Sequence, residues 1–196
     1  VTKAAASSTT VTGTSTNLAL FQYLKNKGMN WVIVKASNGT DANFNSTQFN
    51  AQLVTVNRAA GEMMHTAGAS AATDVTGFGL LGHALNVARA SKKTLRIWSG
   101  VVPVLPRVLD FARDGVAPAG LRSNLAYASP FVQFDEGVPE TLRMALADPQ
   151  TSGGLLIAIA PKKAAALMKA LKRAKVDAVV IGETLAKGKA PLEVAG

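Results

Sequence analysis

The residues with the clearest capacity for chemistry lie between Ala72 and His83, where the sequence reads "ATDVTGFGLLGH". Asp74 precedes three glycines with G-x-G-x-x-G spacing, and a run with helical periodicity follows. Glycines allow backbone amides to approach a ligand closely, and a helix N-terminus adds partial positive charge. A carboxylate is a hard ligand suited to Mg²⁺, which takes few carboxylates together with phosphate oxygens. The stretch therefore predicts a metal–phosphate site.

A purely structural explanation competes with this prediction. Thr73, Asp74 or Thr76 could cap a helix while the glycines provide turn geometry. Dinucleotide binding is less well supported, because no clear strand precedes the glycines and no later acidic residue suits a ribose. On the pattern alone, the helix cap and the phosphate loop both remain open.

A second glycine-rich junction, "DPQTSGGLLIAIAP", begins at Asp148. Its polar side chains are bunched before Gly153 and Gly154, where a tight helix-to-strand connection would explain them equally well. Two such junctions in one domain are more suggestive of a functional role than either is alone.

Two histidines and two tryptophans have structural interpretations, and His83 also has a functional one. His83 could orient a phosphate, or it could pack or cap near the glycine loop. His65 has no partner at metal-ligand spacing and is interpreted as structural. Trp31 and Trp98 lie on strand-like segments and are expected in the core or at an edge.

Hydrophobic periodicity and turn residues predict the elements that carry these motifs. Residues 1–16 are expected to be a flexible lead-in, and residues 38–47 a loop. Helices are predicted over residues 17–28, 47–68, 80–91, 105–115, 138–148 and 161–175. Strands are predicted over residues 30–37, 94–99, 154–160 and 177–184, the strand at 154–160 being buried. The strand at 154–160, the helix at 161–175 and the strand at 177–184 follow one another and predict a strand–helix–strand unit.

The amino-acid composition excludes some classes of function for this chain. The chain has 196 residues, 48% of them hydrophobic, which is enough for a packed core. It has no cysteine, so disulfides and thiolate chemistry are excluded, and a cytoplasmic location is expected. No apolar run reaches membrane-spanning length, and the first residues do not resemble a signal peptide.

The formal charge of +9 raises the question of an anionic partner. The basic residues cluster mainly in "PKKAAALMKALKRAKVD" and "AKGKAP", and six of the 21 fall within residues 161–175, at helical spacing among alanine and leucine. A solvated helix face is the simpler explanation, and no aromatic residues are interleaved for base stacking. No nucleic-acid partner and no membrane partner are therefore expected.

The two glycine-rich motifs together resemble the C-terminal half of selenophosphate synthetase (selenide, water dikinase). "VIGET" before a Lys/Gly-rich turn is similar to that family's closing strand, and "NRAAGEMMHTAGAS" fits the helix before its first motif. The resemblance covers about residues 54–196.

This resemblance implies an α+β fold, a PurM-type C-terminal domain with a mixed β-sheet and packed helices. The complete enzymes convert ATP, selenide and water into selenophosphate, AMP and phosphate with Mg²⁺, and a homodimer is expected. Asp74 matches a metal-binding aspartate. The expected cofactor-binding loop beside the phosphates is Thr76, Gly77, Phe78 and Gly79. A structural or site-bordering role is implied for Asp148, Gln150, Thr151 and Ser152.

The departures from the family pattern limit the expected activity. The catalytic Cys/Lys region and the additional aspartates of the family's N-terminal half are not found in this sequence. The family's "GGT-x-RN" stretch is matched only loosely by "AGLRSN", through Gly120 and Asn124. No catalytic residue is assigned, and the chain alone is not expected to make selenophosphate. A non-catalytic scaffold or an engineered fusion is the alternative.

Residues 17–61 raise a separate hypothesis, because they weakly resemble a strand–loop–helix of GH25-type muramidases. Asn38 stands at the acidic position of that pattern, whereas glycosidases usually need two carboxylates. The segment predicts a chimeric chain or, as a weaker alternative, a cell-wall protein. The predicted organisation is a lead-in at 1–16, a divergent segment at 17–53 and a domain at 54–196.

Overall fold

A computed structural model describes residues 57–105, 107–150 and 153–196 of the chain. The helix at 17–28, the strand at 30–37, the loop at 38–47, Trp31 and the divisions of residues 1–53 lie outside these ranges.

Helices and strands alternate irregularly through the described ranges. The helices are α1 Arg58–Ala67, α2 Gly79–Ser91, α3 Val108–Arg113, α4 Ala119–Ala128, α5 Glu140–Ala147 and α6 Pro161–Arg173. The strands are β1 Ala71–Asp74, β2 Thr94–Trp98, β3 Val132–Phe134, β4 Leu155–Ala158, β5 Gly182–Leu185 and β6 Leu192–Ala195. Short 3₁₀ turns occupy Ser99–Val101 and Ser129–Phe131.

The strands form two separate sheets. Strands β3, β6, β2 and β5 lie in that order in a mixed sheet, where β6 is parallel to β3 and β2, and β5 is antiparallel to β2. Strands β1 and β4 form an antiparallel two-stranded ribbon. A mixed sheet with packed helices confirms the predicted α+β fold.

Helix α2 lies at the centre of the core. Its apolar residues Leu81, Ala84, Leu85 and Ala88 repeat at helical spacing, and all are fully buried. The cluster that they join is completed from the sheet, α4, α5 and the turn before α5 by Leu95, Ile97, Ala128, Val138, Leu146, Ala147, Leu192 and Val194. Burial of each large apolar side chain contributes about 1.5–3 kcal/mol, so this cluster fixes the position of α2 and the loop before it.

The other face of the mixed sheet carries a cross-strand ion-pair network. Arg96 on β2 donates to Glu193 on β6 over 2.7 and 2.9 Å, and to Glu183 on β5 over 3.2 Å. The hydrogen bond with Glu193 raises the pKa of the Arg96 guanidinium above its usual value. This network is partly exposed and ties three strands together at modest energetic gain.

Several predicted elements are confirmed, although some with shorter bounds. The predicted helix at 47–68 ends at Gly68, which has φ 70°, and its described part is α1. The helices at 80–91, 105–115, 138–148 and 161–175 correspond to α2, α3, α5 and α6, and the strand at 94–99 to β2.

The predictions for the last part of the chain are partly wrong. Strand β4 is half-buried rather than buried, because its only strand partner in the described residues is β1. Strand β5 begins at Gly182 rather than at residue 177. Strands β4 and β5 belong to different sheets, so they and α6 do not form a single strand–helix–strand unit.

Candidate functional site

The glycine loop begins at the end of β1, a strand that the sequence pattern did not predict. Asp74 is the last residue of β1 and lies opposite Leu155 of β4, with its side chain exposed. The N-cap of α2 is Phe78, which makes no side-chain capping bond. Asp74 and the neighbouring threonines are therefore not helix caps, and the capping part of that alternative is wrong.

The turn between β1 and α2 requires glycine at one position. The amide of Gly79 donates to the carbonyl oxygen of Thr76 over 3.0 Å. Gly79 has φ 67°, and a Cβ there would lie 2.7 Å from the carbonyl carbon and oxygen of Ala147. The helix N-terminus thus packs directly on the end of α5. A Cβ on Gly77 would meet no atom within 4 Å, so the backbone there is open to a ligand.

The two glycine-rich junctions meet in the fold. The amide of Val75 donates to Gly154, and the amide of Gln150 donates to Thr76, each over 3.0 Å. A Cβ on Gly153 would lie 2.1 Å from the carbonyl oxygen of Val75. The two junctions are therefore hydrogen-bonded to each other, an arrangement that the sequence pattern did not predict.

His83 fixes the loop from the side of α2. Its Nε2 accepts a hydrogen bond from the amide of Thr76 over 3.0 Å, and the Thr76 hydroxyl lies at the same distance. Its Nδ1 is 3.5 Å from the hydroxyl of Thr73. Both ring nitrogens thus face the protein's own loop, which favours the structural interpretation of His83 over direct phosphate contact.

Asn124 fixes the loop from the side of α4. Its Nδ2 donates to the carbonyl oxygen of Gly77 over 2.8 Å and to that of Ala147 over 3.0 Å. A Cβ on Gly120, one turn earlier, would lie 3.0 Å from Pro149. Helix α4 was not predicted, although Leu121, Asn124, Leu125 and Ala128 repeat at helical spacing and could have revealed it.

Asp74 lies exposed at the strand end, Gly77 and Phe78 are exposed in the turn, and Gly79 is buried. The Phe78 side chain is 58% exposed. Within the described ranges, no hydrogen bond engages the amides of Gly77 and Phe78. The turn offers two backbone donors, and the preceding strand end offers one carboxylate.

The second junction, which begins at Asp148, contributes mainly structural support to the glycine loop. The side-chain amide of Gln150 donates to the carboxylate of Asp148 over 2.9 Å, which holds that carboxylate close to its own backbone. Thr151 and Ser152 lie outside the described residues. A site-bordering role for Asp148 and Gln150 remains a prediction.

Neither a complete metal centre nor a membrane span is found in the described part of the chain. No group of three or more His, Cys, Asp or Glu side chains converges there in a way that could hold a metal ion. No helix there has both the length and the apolar character to cross a bilayer. His65 and the lysines of α6 are exposed, as expected for a solvated face.

The fold and the joined loops define the class of protein: an α+β domain that presents a glycine-rich helix N-terminus beside a two-stranded ribbon. The chain belongs to the family described as "AIR synthase related protein, C-terminal domain", which it matches over residues 33–194.

Curated relatives with the name "Selenide, water dikinase" also match the chain. One from Myxococcus xanthus is 44% identical over 146 residues, covering 74% of this chain and 41% of the relative. One from Trichlorobacter lovleyi is 40% identical over 139 residues, covering 71% of this chain and 40% of the relative. One from Porphyromonas gingivalis is 45% identical over 122 residues, covering 62% of this chain and 34% of the relative. The matched region thus spans about two fifths of these relatives or less.

The comparisons give no support to the muramidase resemblance of residues 17–61. The family match begins at residue 33, inside that segment. The division of the chain at residues 16 and 53 remains a prediction.

Proposed function

We propose that this chain is the C-terminal domain of a selenophosphate synthetase and supplies part of its ATP–metal site. The observation that carries the proposal is the hydrogen-bonded junction of the two motifs, in which Gln150 donates to Thr76 and Val75 to Gly154. The names of the relatives point to the same reaction. By that resemblance, the complete enzyme would convert ATP, selenide and water into selenophosphate, AMP and phosphate.

The loop residues have distinct roles in this proposal. The amides of Gly77 and Phe78 would donate to phosphate oxygens, aided by the partial positive charge at the start of α2. Thr76 would border the site, and the glycine at position 79 would allow the tight turn. Asp74 would bind Mg²⁺ at the end of β1.

The described residues fit one edge of such a site. Asp74 offers an exposed hard oxygen, and the space beside Gly77 is open to a phosphate. Mg²⁺ accepts one or two carboxylates and completes its shell with water and phosphate oxygens. Bound Mg²⁺ would neutralise phosphate charge, while the chain's own part is to position it.

A second candidate function is a non-catalytic scaffold. It is favoured by the lack of any group of three metal-binding side chains in the described ranges. Under either proposal we expect no selenophosphate from this chain alone, because a lone carboxylate cannot organise several metal ions. The two proposals differ in nucleotide binding, which only the first requires.

Isothermal titration of the 196-residue chain with Mg²⁺-ATP separates the two proposals. We expect measurable binding that Asp74→Asn abolishes with little change in melting temperature, because Asp74 is exposed and caps no helix. Absence of binding by the unaltered chain would instead favour the scaffold, and equal binding by Asp74→Asn would contradict the metal-binding role of Asp74.

The net charge of +9 requires a control for non-specific attraction of ATP. Lys169→Gln on the exposed face of α6 removes a positive charge away from the loop. We expect this variant to bind as the unaltered chain does at 0.15 M salt, where the Debye length is about 8 Å. If Lys169→Gln weakened Mg²⁺-ATP binding more than Asp74→Asn did, the loop would not be the binding site.

Self-association also belongs to the proposal, since the resemblance implies a homodimer. Sedimentation velocity over a range of concentrations tests it, and a monomer at every concentration would contradict it for this chain.

A further inference from the structure

We infer that Asn124 is a positioning residue, which aims the amide of Phe78 at the bound anion by holding the preceding carbonyl group. This inference deepens the proposed function and rests on it for the identity of the anion. The residue itself would not touch the ligand.

The geometry of one peptide unit carries the inference. Asn124 holds the Gly77 carbonyl oxygen at 2.8 Å, on the side of α4. No cis peptide bond occurs in the described residues. In a trans peptide the C=O and the following N–H point in opposite directions. The Phe78 amide is therefore directed away from α4, on the side opposite Asn124.

The preceding peptide unit, which joins Thr76 to Gly77, is also held through its carbonyl group, but by backbone amides. The carbonyl oxygen of Thr76 accepts from the amides of Gly79 and Gln150, each over 3.0 Å. The Gly77 amide, in the same peptide unit, points away from these donors. Among the contacts of the described residues, only the Phe78 amide therefore depends on a side chain for its direction.

Asn124 also links the two junctions through its second hydrogen bond. The acceptor is the carbonyl oxygen of Ala147, which ends α5 and directly precedes Asp148. Both hydrogens of a single amide group are used, so a side chain with fewer donors cannot replace it fully. Aspartate has the same shape but, when ionised, presents only acceptors to two carbonyl oxygens.

Helix α4 has other attachments that do not involve Asn124. Leu121 and Ala128 are buried, and Gly120 packs close to Pro149. Loss of the Asn124 side chain is therefore expected to release the loop while the helix stays in place.

The test compares the full chain with Asn124→Asp and Asn124→Ser, and uses Ser123→Ala as the matched control. Ser123 lies next to Asn124, and its hydroxyl donates within α4, to the carbonyl oxygen of Ala119. In ¹H–¹⁵N NMR spectra of the free proteins, we expect the Phe78 amide resonance to shift or broaden in both Asn124 variants and not in the control. The amides of α6 report whether the fold is retained.

Binding provides the second measurement. We expect Asn124→Asp to weaken Mg²⁺-ATP binding about tenfold, Asn124→Ser to weaken it less, and Ser123→Ala to leave it unchanged. An unmoved Phe78 resonance in both Asn124 variants, with α6 intact, would overturn the inference. Equal affinity in all three variants, where the unaltered chain binds, would overturn it as well.

Failure of the proposed function has a different signature. In that case Mg²⁺-ATP would shift no loop resonance of the unaltered chain, although the Asn124 variants would still displace the Phe78 amide. In that case Asn124 would still orient the Phe78 amide, but that amide would not bind Mg²⁺-ATP.

Discussion

The backbone amide of Gln150 donates a hydrogen bond to the carbonyl oxygen of Thr76 over 3.0 Å. These residues belong to different glycine-rich junctions, 74 positions apart in the sequence. The amide of Thr76 donates in turn to His83 on the buried helix α2. One loop residue therefore couples the second junction to the core, and changes at either junction should affect both.

Gly79→Ala should be strongly destabilising. Its left-handed backbone and its contact with the Ala147 backbone together predict a loss of about 2–4 kcal/mol in the free energy of unfolding. Chemical denaturation measures this change. Gly77→Ala is the matched control, because a Cβ there meets nothing within 4 Å. Equal losses at both positions would contradict the described turn.

Gly153→Ala should also destabilise the chain, because the new Cβ would overlap the Val75 carbonyl oxygen and push the two junctions apart. We expect a loss of at least about 1–3 kcal/mol, as for other overpacked sites. Gly154→Ala adds a Cβ into open space and should be tolerated. Thermal unfolding of the pair compares them directly, and a more harmful Gly154→Ala would speak against the joined loops.

Replacement of His83 should depend on whether a hydrogen-bond acceptor is retained. His83→Leu leaves the Thr76 amide without its partner and should cost about 1–3 kcal/mol. His83→Gln retains an acceptor on a side chain of similar reach and should recover part of that loss. Calorimetric melting temperatures test this order, and identical values for the two variants would refute the hydrogen bond's contribution.

Gly61→Ala should stabilise the chain. Gly61 lies inside α1, where a Cβ meets no atom within 4 Å and φ is not positive. Glycine is about 0.8–1.0 kcal/mol less favourable than alanine inside a helix. The expected gain is therefore up to about 1 kcal/mol, measured by denaturation with Gly77→Ala as the loop comparison. A loss of stability would indicate a close packing partner at this position.

Long periodic segments could be predicted from the sequence because their regularly spaced apolar residues form the buried face of a helix. Helix α2 is the best example, since its buried face follows a plain helical repeat. Strand β1 could not be recognised in this way, because "AATD" is four residues long and two of them are alanine. Its strand geometry comes from pairing with β4, which is distant in sequence.

The two motifs of the candidate site could be predicted from the sequence, but the way in which the surrounding helices pack on them could not. Asp74 and the glycines were recognisable from their types and spacing. The positions of Asn124 and His83 depend on how α4 and α2 pack on the loop, which a local pattern does not contain. The sheet assignment of β4 and β5 failed for the same reason, since strand–helix–strand order alone does not determine which strands pair.

The most direct test of the ATP–metal site is paramagnetic line broadening by Mn²⁺-ATP, followed in ¹H–¹⁵N spectra of the full chain. Mn²⁺ has coordination preferences close to those of Mg²⁺. We predict selective broadening of the amides of Asp74, Gly77 and Phe78, lost in Asp74→Asn, while the amides of α6 stay sharp. Broadening centred on the lysines of α6, or none at the loop when Mn²⁺-ATP is in excess, would contradict the proposed site.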